Sequence, residues 1–186
     1  MVKKCLIIEG DNTRNNNNGD LREGFGQLFA KFGCRVQIKM GAGKDSTVDK
    51  FRTIVNGKSD LGCEKPFLLI DLDKQENEIQ KDLETYKISE HSEFVCYMVQ
   101  EMEAWFLSQP QLLDNFYGAG ISSRLPKKHP KLVNDPVREL ENITKQTPKG
   151  LYHKIRHGAI LLNKLDPTKL INDFPELKRF VENLKK

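Results

Sequence analysis

Four short apolar runs alternate with stretches of helical spacing, and this alternation constrains the fold more than any other feature of the chain. The runs are KKCLII at 3–8, CRVQIKM at 34–40, PFLLIDLD at 66–73 and EFVCYMV at 93–99. The third run begins with unbroken apolar residues, as a strand does when it is buried on both faces of a parallel sheet. Repeated strand–helix–strand order predicts an α/β, Rossmann-like fold with a mainly parallel four-stranded sheet flanked by helices.

Helical spacing of apolar residues fills the segments between these runs. Residues 21–33 carry one apolar face, and Asp20 is the candidate cap of that helix. A second helix is expected around residues 48–55, capped by Asp45 or Ser46. A third helix, mostly polar, is expected before the fourth run.

After the fourth run, the alternation of predicted strands and helices stops. The sequence predicts an α/β core over residues 1–117 and a helical extension over 118–186 that packs on the core as one globular unit. The extension opens with a Gly-, Pro- and Lys-containing stretch of little periodicity. Pro167 and Pro175 then mark the first turns of two short helices.

Composition is that of a soluble protein with a mild basic excess. The net charge of +4 comes from 30 basic and 26 acidic residues, which permits a nucleic-acid partner without requiring one. Every apolar run is far shorter than the roughly 20 residues of a membrane helix. The first run is also too short for a signal peptide, so a cytoplasmic protein without membrane association is expected.

The four cysteines, Cys5, Cys34, Cys63 and Cys96, are far apart and form no CxxC pair. Three of them lie in or beside apolar runs, as small core residues do. This spacing argues against a zinc site and against a disulfide framework. Reduced, intracellular thiols are therefore expected.

Acidic residues follow three of the four predicted strands. Glu9 follows the first, Asp71 and Asp73 end the third, and Glu101 and Glu103 follow the fourth. The carboxyl ends of parallel strands share one edge of a sheet, where such folds bind ligands. If the third strand continues through Asp73, both of its acids point to the same side.

Clustered carboxylates repel each other unless a cation lies among them. Mg²⁺ prefers oxygen ligands, typically one or two carboxylates with waters and substrate phosphates. Two such ions can clamp the attacking and leaving oxygens of a phosphodiester. The pattern favours a Mg²⁺ or Mn²⁺ site; the alternative is a set of unconnected helix caps and surface acids.

Other motifs are weaker. GAGKDST at 41–47 departs from the phosphate loop of nucleotide triphosphatases, because Ile38 and Asp45 replace required residues. A turn is predicted there instead. The DLD pair lies on the third predicted strand, which argues against a phosphatase with an aspartate nucleophile, and no GxSxG elbow is present. His153 and His157 lack the HExxH pattern, so a basic surface or phosphate contact is expected.

Basic residues concentrate in two segments, around 124–131 and around 145–157. The candidate nucleic-acid contacts among them are Lys127, Lys128 and Lys149. For either segment alone, the alternative is a solvated surface. The positive charge of these segments is therefore compatible with binding to DNA or RNA but does not indicate which of the two is bound.

Six stretches carry a resemblance to a known family. They are IEGDN at 8–12, LREGF at 21–25, GAGKDS at 41–46, LLIDLD at 68–73, MVQEMEAWFLSQPQLL at 98–113 and LYHKIRHGAILLNKLDP at 151–167. The chain resembles the Toprim domain of topoisomerases, primases and OLD-type nucleases. It resembles more closely a Toprim-like family known as domain of unknown function 4276. The MEAWFL and YHKxxHG motifs together are specific to this family, whereas EG and DLD alone are weak indicators of it.

The resemblance implies roles for the acids. Glu9 matches the Toprim glutamate, which acts as a general acid or base. Asp71 and Asp73 match the metal-binding pair, although the second acid of the closer family is often Glu and Asp73 is one methylene shorter. Glu103 matches an acid that completes the metal site, and Glu101 is a weaker candidate.

The resemblance also implies phosphate contacts by Arg22, Lys154 and His157, and an arginine offers a bidentate fork for phosphate. The asparagine run at 15–18 belongs to no recognised pattern. Toprim-like proteins of this kind are associated with bacterial defence against phage, which implies a protein partner encoded in a defence operon.

Two hypotheses follow. The first is a Mg²⁺- or Mn²⁺-dependent nuclease that acts on nucleic acid through the carboxylates. The second is a non-catalytic module that binds nucleic acid or protein in a defence system, with the basic residues dominating affinity and a steep salt dependence.

Overall fold

Four parallel strands form the central sheet of the computed structural model, which describes residues 3–10, 18–58, 62–118 and 120–186. They are β1 (Lys4–Ile8), β2 (Gln37–Met40), β3 (Lys65–Asp71) and β4 (Val95–Met98). Their order is β2-β1-β3-β4, and each neighbouring pair is parallel. The predicted α/β class and the four-stranded sheet flanked by helices are confirmed.

Alternate residues of the strands face two hydrophobic clusters, one on each side of the sheet. On one side, Ile7 and Ile70 pack with apolar residues of α2 (Lys44–Val55) and α3 (Ile79–Thr85). On the other side, Leu6 and Leu69 pack with α1 (Asn18–Lys31) and with helices that follow β4. The continuous apolar run in β3 is explained by burial on both faces.

Residues after β4 are mostly helical. The helices are α4 (Glu103–Leu107), α5 (Pro110–Tyr117), α6 (Pro136–Thr144), α7 (Lys154–Lys164), α8 (Pro167–Asp173) and α9 (Pro175–Lys185). Phe180 of α9 makes edge contacts with Phe29 of α1 and Phe67 of β3. The segment beyond residue 117 therefore shares the hydrophobic cluster of the sheet, and it carries α7 against α1.

Prolines and aspartates set the ends of several of these helices. Pro136, Pro167 and Pro175 each occupy a first helical turn. Backbone N–H groups in the first turn form no hydrogen bond within the helix, so proline, which lacks this N–H, costs nothing there. Asp135 and Asp166 cap α6 and α8 by accepting hydrogen bonds from backbone N–H groups of the first turn.

Three predicted boundaries differ from the structure. Asp20 lies inside α1 rather than at its cap. Asp45 and Ser46 lie in the first turn of α2, and the cap position is Gly43. β3 ends at Asp71, so the strand does not continue through Asp73. Backbone hydrogen bonds to residues after β4 replace strand pairing at this point.

The expectation that all cysteines are reduced is wrong for two of them, because the structure joins Cys5 and Cys63 in a disulfide. β1 and β3 are neighbours, and the pairing of Cys5 with Pro66 brings residue 63 alongside the start of β1. The 58-residue separation carries no local motif, which is why the spacing did not indicate the bond. Cys34 and Cys96 are free and buried, as expected of small core residues.

Part of the predicted loop after β1 lies outside the described residues, including all but the last asparagine of the run at 15–18. Among the helices that are described, none is long and apolar enough to cross a membrane.

Candidate active site

The carboxyl ends of β1 and β3 place Glu9 and Asp71 side by side. The backbone N–H of Asp71 donates a hydrogen bond to Glu9 Oε2 at 3.3 Å. A cleft of about 410 Å³ opens at this edge of the sheet, lined by Glu9, Gly10, Leu21, Gly43, Asp71, His153, Lys154 and Ile155. The structure thus brings Glu9, Asp71 and Lys154, three of the predicted site residues, to one cleft.

Asp71 is held through both of its carboxylate oxygens. It is 8% exposed. Oδ1 accepts a hydrogen bond of 2.9 Å from the backbone N–H of Met102, in the turn between β4 and α4. Oδ2 lies 3.4 Å from Nζ of Lys154, at the start of α7. Two separate segments, the turn before α4 and the start of α7, therefore fix the orientation of this carboxylate.

Glu103, the first residue of α4, is fully buried behind Asp71. Its Oε1 accepts a hydrogen bond of 2.7 Å from the hydroxyl of Tyr152. Its Oε2 lies 3.7 Å from Lys154 Nζ and accepts no hydrogen bond from any described residue. Burial raises the pKa of Glu103, and the nearby ammonium of Lys154 opposes that rise.

Asp73 differs from Asp71 because it follows the strand in a left-handed conformation, with φ of 59°. Its N–H donates to the carbonyl of Gln100 at 2.7 Å, and Gln100 also has a positive φ, of 63°. Non-glycine residues in this region are uncommon and often lie at functional sites. The side chain of Asp73 is 55% exposed, and its Oδ2 lies 3.7 Å from Nζ of Lys44.

Two further acids have pKa values close to neutrality. Burial, then repulsion by Asp71 and Asp73, raises the pKa of Glu9 to about 7. Burial, then repulsion by Glu103, raises the pKa of Glu101 to about 7. The acids at this edge of the sheet therefore attract protons and other cations.

The donor set fits a divalent cation in charge and ligand type. Within the described part of the chain, three of the five acids pair with an ammonium group: Asp73 pairs with Lys44, and Asp71 and Glu103 pair with Lys154. Oε2 of Glu101 and of Glu103 are buried carboxylate oxygens that accept no hydrogen bond there. No three His, Cys, Asp or Glu side chains of the described residues are arranged to hold a metal ion. Mg²⁺, however, uses only one or two carboxylates besides waters and substrate oxygens.

Arg22 and His157 do not join this group. Arg22 is an exposed residue of α1 and makes no ion pair with a described residue. The ring of His157 packs edge-on against Phe116 and Tyr117, and its Nδ1 lies 2.8 Å from the Tyr117 hydroxyl. Burial lowers the pKa of His157, so this residue is a neutral imidazole at pH 7.

The predicted nucleic-acid contacts lie on the surface. Lys127 and Lys128 are exposed, and neither forms an ion pair within the described ranges. Lys128 lines a second cleft, of about 540 Å³, together with Arg124 and Arg138. Lys149 is exposed, with its Nζ 4.8 Å from the ring centroid of Phe116.

Sequence reasoning missed Tyr152, Lys44 and Gln100. Tyr152 begins the YHKxxHG motif, but no local pattern indicates that its hydroxyl reaches Glu103, 49 residues earlier. Lys44 belongs to the GAGK turn, and its Nζ lies 3.7 Å from Asp73 and 3.5 Å from Asp82. No sequence pattern indicates Gln100, because it contacts Asp73 through its backbone carbonyl, which accepts the hydrogen bond from the Asp73 N–H.

Comparison with known families gives a match over most of the chain. The model of a family described as a domain of unknown function, DUF4276, matches residues 46–185. This range includes the acids at the ends of β3 and β4 and all of α7, and it leaves Glu9 and Arg22 outside. No curated protein and no solved structure matches the chain.

Proposed function

We propose that this chain, which belongs to the DUF4276 family, is a divalent-metal-dependent enzyme that cleaves phosphodiester bonds in nucleic acid. The observation that carries the proposal is the convergence of Glu9, Asp71 and Lys154 on one cleft at the carboxyl edge of a parallel sheet. The resemblance to the Toprim domain of nucleases supports the reaction class.

Asp71 and Asp73 are the residues that would hold Mg²⁺ or Mn²⁺. When bound, such an ion supplies Lewis acidity that offsets the charge of the phosphodiester. Glu9 faces the same cleft and, with a pKa of about 7, accepts a proton from the water whose oxygen bonds to phosphorus. The phosphorus–oxygen ester bond opposite that water breaks, and the leaving oxygen takes a proton from solvent. The ammonium of Lys154 lies beside Asp71 and offsets charge on the phosphate oxygens.

The remaining predicted site residues take outer positions in this proposal. Glu101 and Glu103 add negative charge behind Asp71, and their role as metal ligands stays a prediction. Arg22 and His157 stay predicted phosphate contacts. Arg22 would contact a bound strand from the exposed side of α1, whereas His157 would act from an aromatic cluster.

Nucleic acid is the proposed partner because the surface carries exposed lysines that form no ion pair with a described residue. Lys127, Lys128 and Lys149 would contact flanking phosphates and release counterions. A role in bacterial defence against phage, with a protein partner from a defence operon, is proposed from the Toprim resemblance alone.

Cleavage of labelled DNA and RNA tests the proposal directly. The wild-type protein is expected to cleave one of these substrates in Mg²⁺ or Mn²⁺ and to stop when the metal is chelated. Asp71→Asn is expected to lower cleavage at least about a hundredfold, because it removes charge from the metal pair. Asp49→Asn is the matched control, since Asp49 is an exposed acid of α2 that pairs with Arg52. Equal cleavage by both variants contradicts the proposal.

The second candidate is a non-catalytic binding module, and one observation favours it. Lys154 lies within ion-pair distance of both Asp71 and Glu103 and neutralises part of the cluster without a metal. This function predicts nucleic-acid binding that survives Asp71→Asn and no cleavage by any variant. Such a result would replace the nuclease assignment.

A further inference from the structure

A buried chain of contacts links Tyr152 to the mouth of the cleft. The Tyr152 hydroxyl donates to Glu103 Oε1 at 2.7 Å. Glu103 Oε2 lies 3.7 Å from Lys154 Nζ, and the same ammonium lies 3.4 Å from Asp71 Oδ2. Tyr152 is thus connected to Asp71 through two intervening side chains, one buried and one half-buried.

The hydroxyl of Tyr152 decides how Glu103 is oriented. A buried carboxylate without partners is costly, and a hydrogen bond from a hydroxyl lowers that cost. Because Oε1 is occupied by Tyr152, Oε2 is the oxygen that turns towards Lys154. Removing the hydroxyl frees the carboxylate to rotate away from the ammonium.

Tyr152 is itself held on several sides. Its backbone N–H donates to Thr144 Oγ1 at 2.8 Å, and Thr144 is a buried residue of α6. Its ring packs against Phe106 of α4, with ring centroids 6.4 Å apart. The hydroxyl is therefore fixed before any ligand arrives, as outer residues of a functional site need to be.

We propose that Tyr152 is a positioning residue that fixes Glu103, and that Glu103 in turn fixes the ammonium of Lys154 beside Asp71. In this proposal Glu103 acts through Lys154, and this role replaces the metal-ligand role that the sequence predicted for Glu103. The catalytic consequence rests on the proposed function, whereas the placement of Lys154 does not.

Chemical reactivity of Lys154 tests the placement without relying on activity. Full-length wild-type protein, Tyr152→Phe and Glu103→Gln are treated with a lysine-acylating reagent, and peptide mass spectrometry measures the rate at Lys154. Both variants weaken the contacts that hold the ammonium, so acylation is expected to be about threefold faster, a change of about 0.65 kcal/mol. Glu103→Gln keeps an acceptor for the Tyr152 hydroxyl and guards against a folding defect in Tyr152→Phe.

Tyr86→Phe is the matched control. It removes a hydroxyl that donates to another carboxylate, Asp45, at 2.9 Å, among the residues that pack on the opposite face of the sheet. In Tyr86→Phe, Lys154 is expected to be acylated at the wild-type rate. Unchanged Lys154 reactivity in both test variants overturns the proposal, as does an equal increase in Tyr86→Phe.

Cleavage kinetics and Mn²⁺ calorimetry test the catalytic consequence. Tyr152→Phe is expected to lower kcat about tenfold while KM and Mn²⁺ affinity stay within about twofold of wild type. In a Lys154→Met background the same substitution is expected to have no further effect, because it acts through Lys154. Equal losses in both backgrounds, or a tenfold loss of Mn²⁺ affinity in Tyr152→Phe, overturn this role for Tyr152.

The two failures are distinguishable. If wild-type protein neither binds Mn²⁺ nor cleaves, the proposed function fails, and the acylation rates alone decide whether Tyr152 positions Lys154. If wild-type protein cleaves and the acylation rate of Lys154 is the same in wild type, Tyr152→Phe and Glu103→Gln, the proposed function stands and the positioning role fails.

Discussion

At the residue scale, the acids of the candidate site differ in how far they are neutralised. Asp71 receives a backbone N–H and an ammonium, one on each oxygen. Glu9 receives the N–H of Asp71, and its pKa of about 7 keeps it partly protonated near neutrality. A carboxylate that exchanges a proton near pH 7 is suited to general base catalysis.

The raised pKa of Glu9 predicts how stability depends on pH. In the folded protein the group binds a proton up to about pH 7, whereas its ordinary pKa is 4.5. Between these values the folded state holds more protons than the unfolded state, so the free energy of unfolding is expected to fall as pH rises. Glu101 adds a fall in the same window. Urea denaturation from pH 4 to 8, without divalent cations, measures this decline.

Glu9→Gln is the variant that isolates the Glu9 contribution. It removes the titrating group, so its free energy of unfolding is expected to decline less between about pH 4.5 and 7 than that of wild type. A decline of equal size in both proteins would show that Glu9 titrates normally in the folded state.

At the scale of elements, α7 carries Lys154 and lies against α1 through a close backbone approach. A Cβ atom added at Gly24 of α1 would lie 2.9 Å from the Cα of Ala159 in α7. This distance is too short for a side chain, so glycine at this position lets the two helices pack closely. The placement of Lys154 therefore depends on the packing of two helices as well as on its ion pairs with the carboxylates.

Gly24→Ala is expected to destabilise the protein by about 1–3 kcal/mol, because the added methyl group forces the helices apart. Thermal unfolding measures the effect. Gly26→Ala is the control, since its Cβ would lie 3.9 Å from the nearest side-chain atom, and it is expected to be neutral or stabilising. Equal stability of the two variants would contradict the role assigned to Gly24.

Elements were largely predictable from local pattern, and the details of the site were not. The apolar run before Asp71 and the acids at the strand ends indicated the parallel sheet and the edge that carries the candidate site. The left-handed conformation of Asp73 was not foreseeable, because it depends on a hydrogen bond to Gln100 across the sheet end. Tyr152 and Lys154 reach acids 49 and 83 residues away, and a single sequence carries no signal for such pairs.

At the scale of the whole molecule, net charge and site charge have opposite signs. The chain carries +4 overall, while acids gather at the carboxyl edge of the sheet. In the proposed function, the basic exterior would attract nucleic acid over a distance, and the acidic centre would accept a divalent cation that then contacts phosphate. The disulfide between Cys5 and Cys63 lies at the opposite end of β1 from Glu9 and ties the first strand to the start of the third.

Replacing Lys127 and Lys128 by alanine is expected to weaken nucleic-acid binding similarly for all sequences. The slope of log affinity against log salt for duplex DNA should decrease by about 1.8, the value for two lost phosphate contacts. Fluorescence anisotropy over a salt series measures it. Alanine at Lys185 and Lys186, exposed residues at the end of the chain, removes the same charge and is expected to leave the slope unchanged. If both double variants have the same slope of log affinity against log salt, Lys127 and Lys128 do not contact the nucleic acid.

The most direct test of the central claim is calorimetric titration of Mn²⁺ into wild-type protein, Asp71→Asn and Asp49→Asn. The account predicts saturable binding by wild type and Asp49→Asn, and its loss in Asp71→Asn. Absence of binding by wild type at millimolar Mn²⁺, with or without nucleic acid, would contradict the account, as would equal binding by all three proteins.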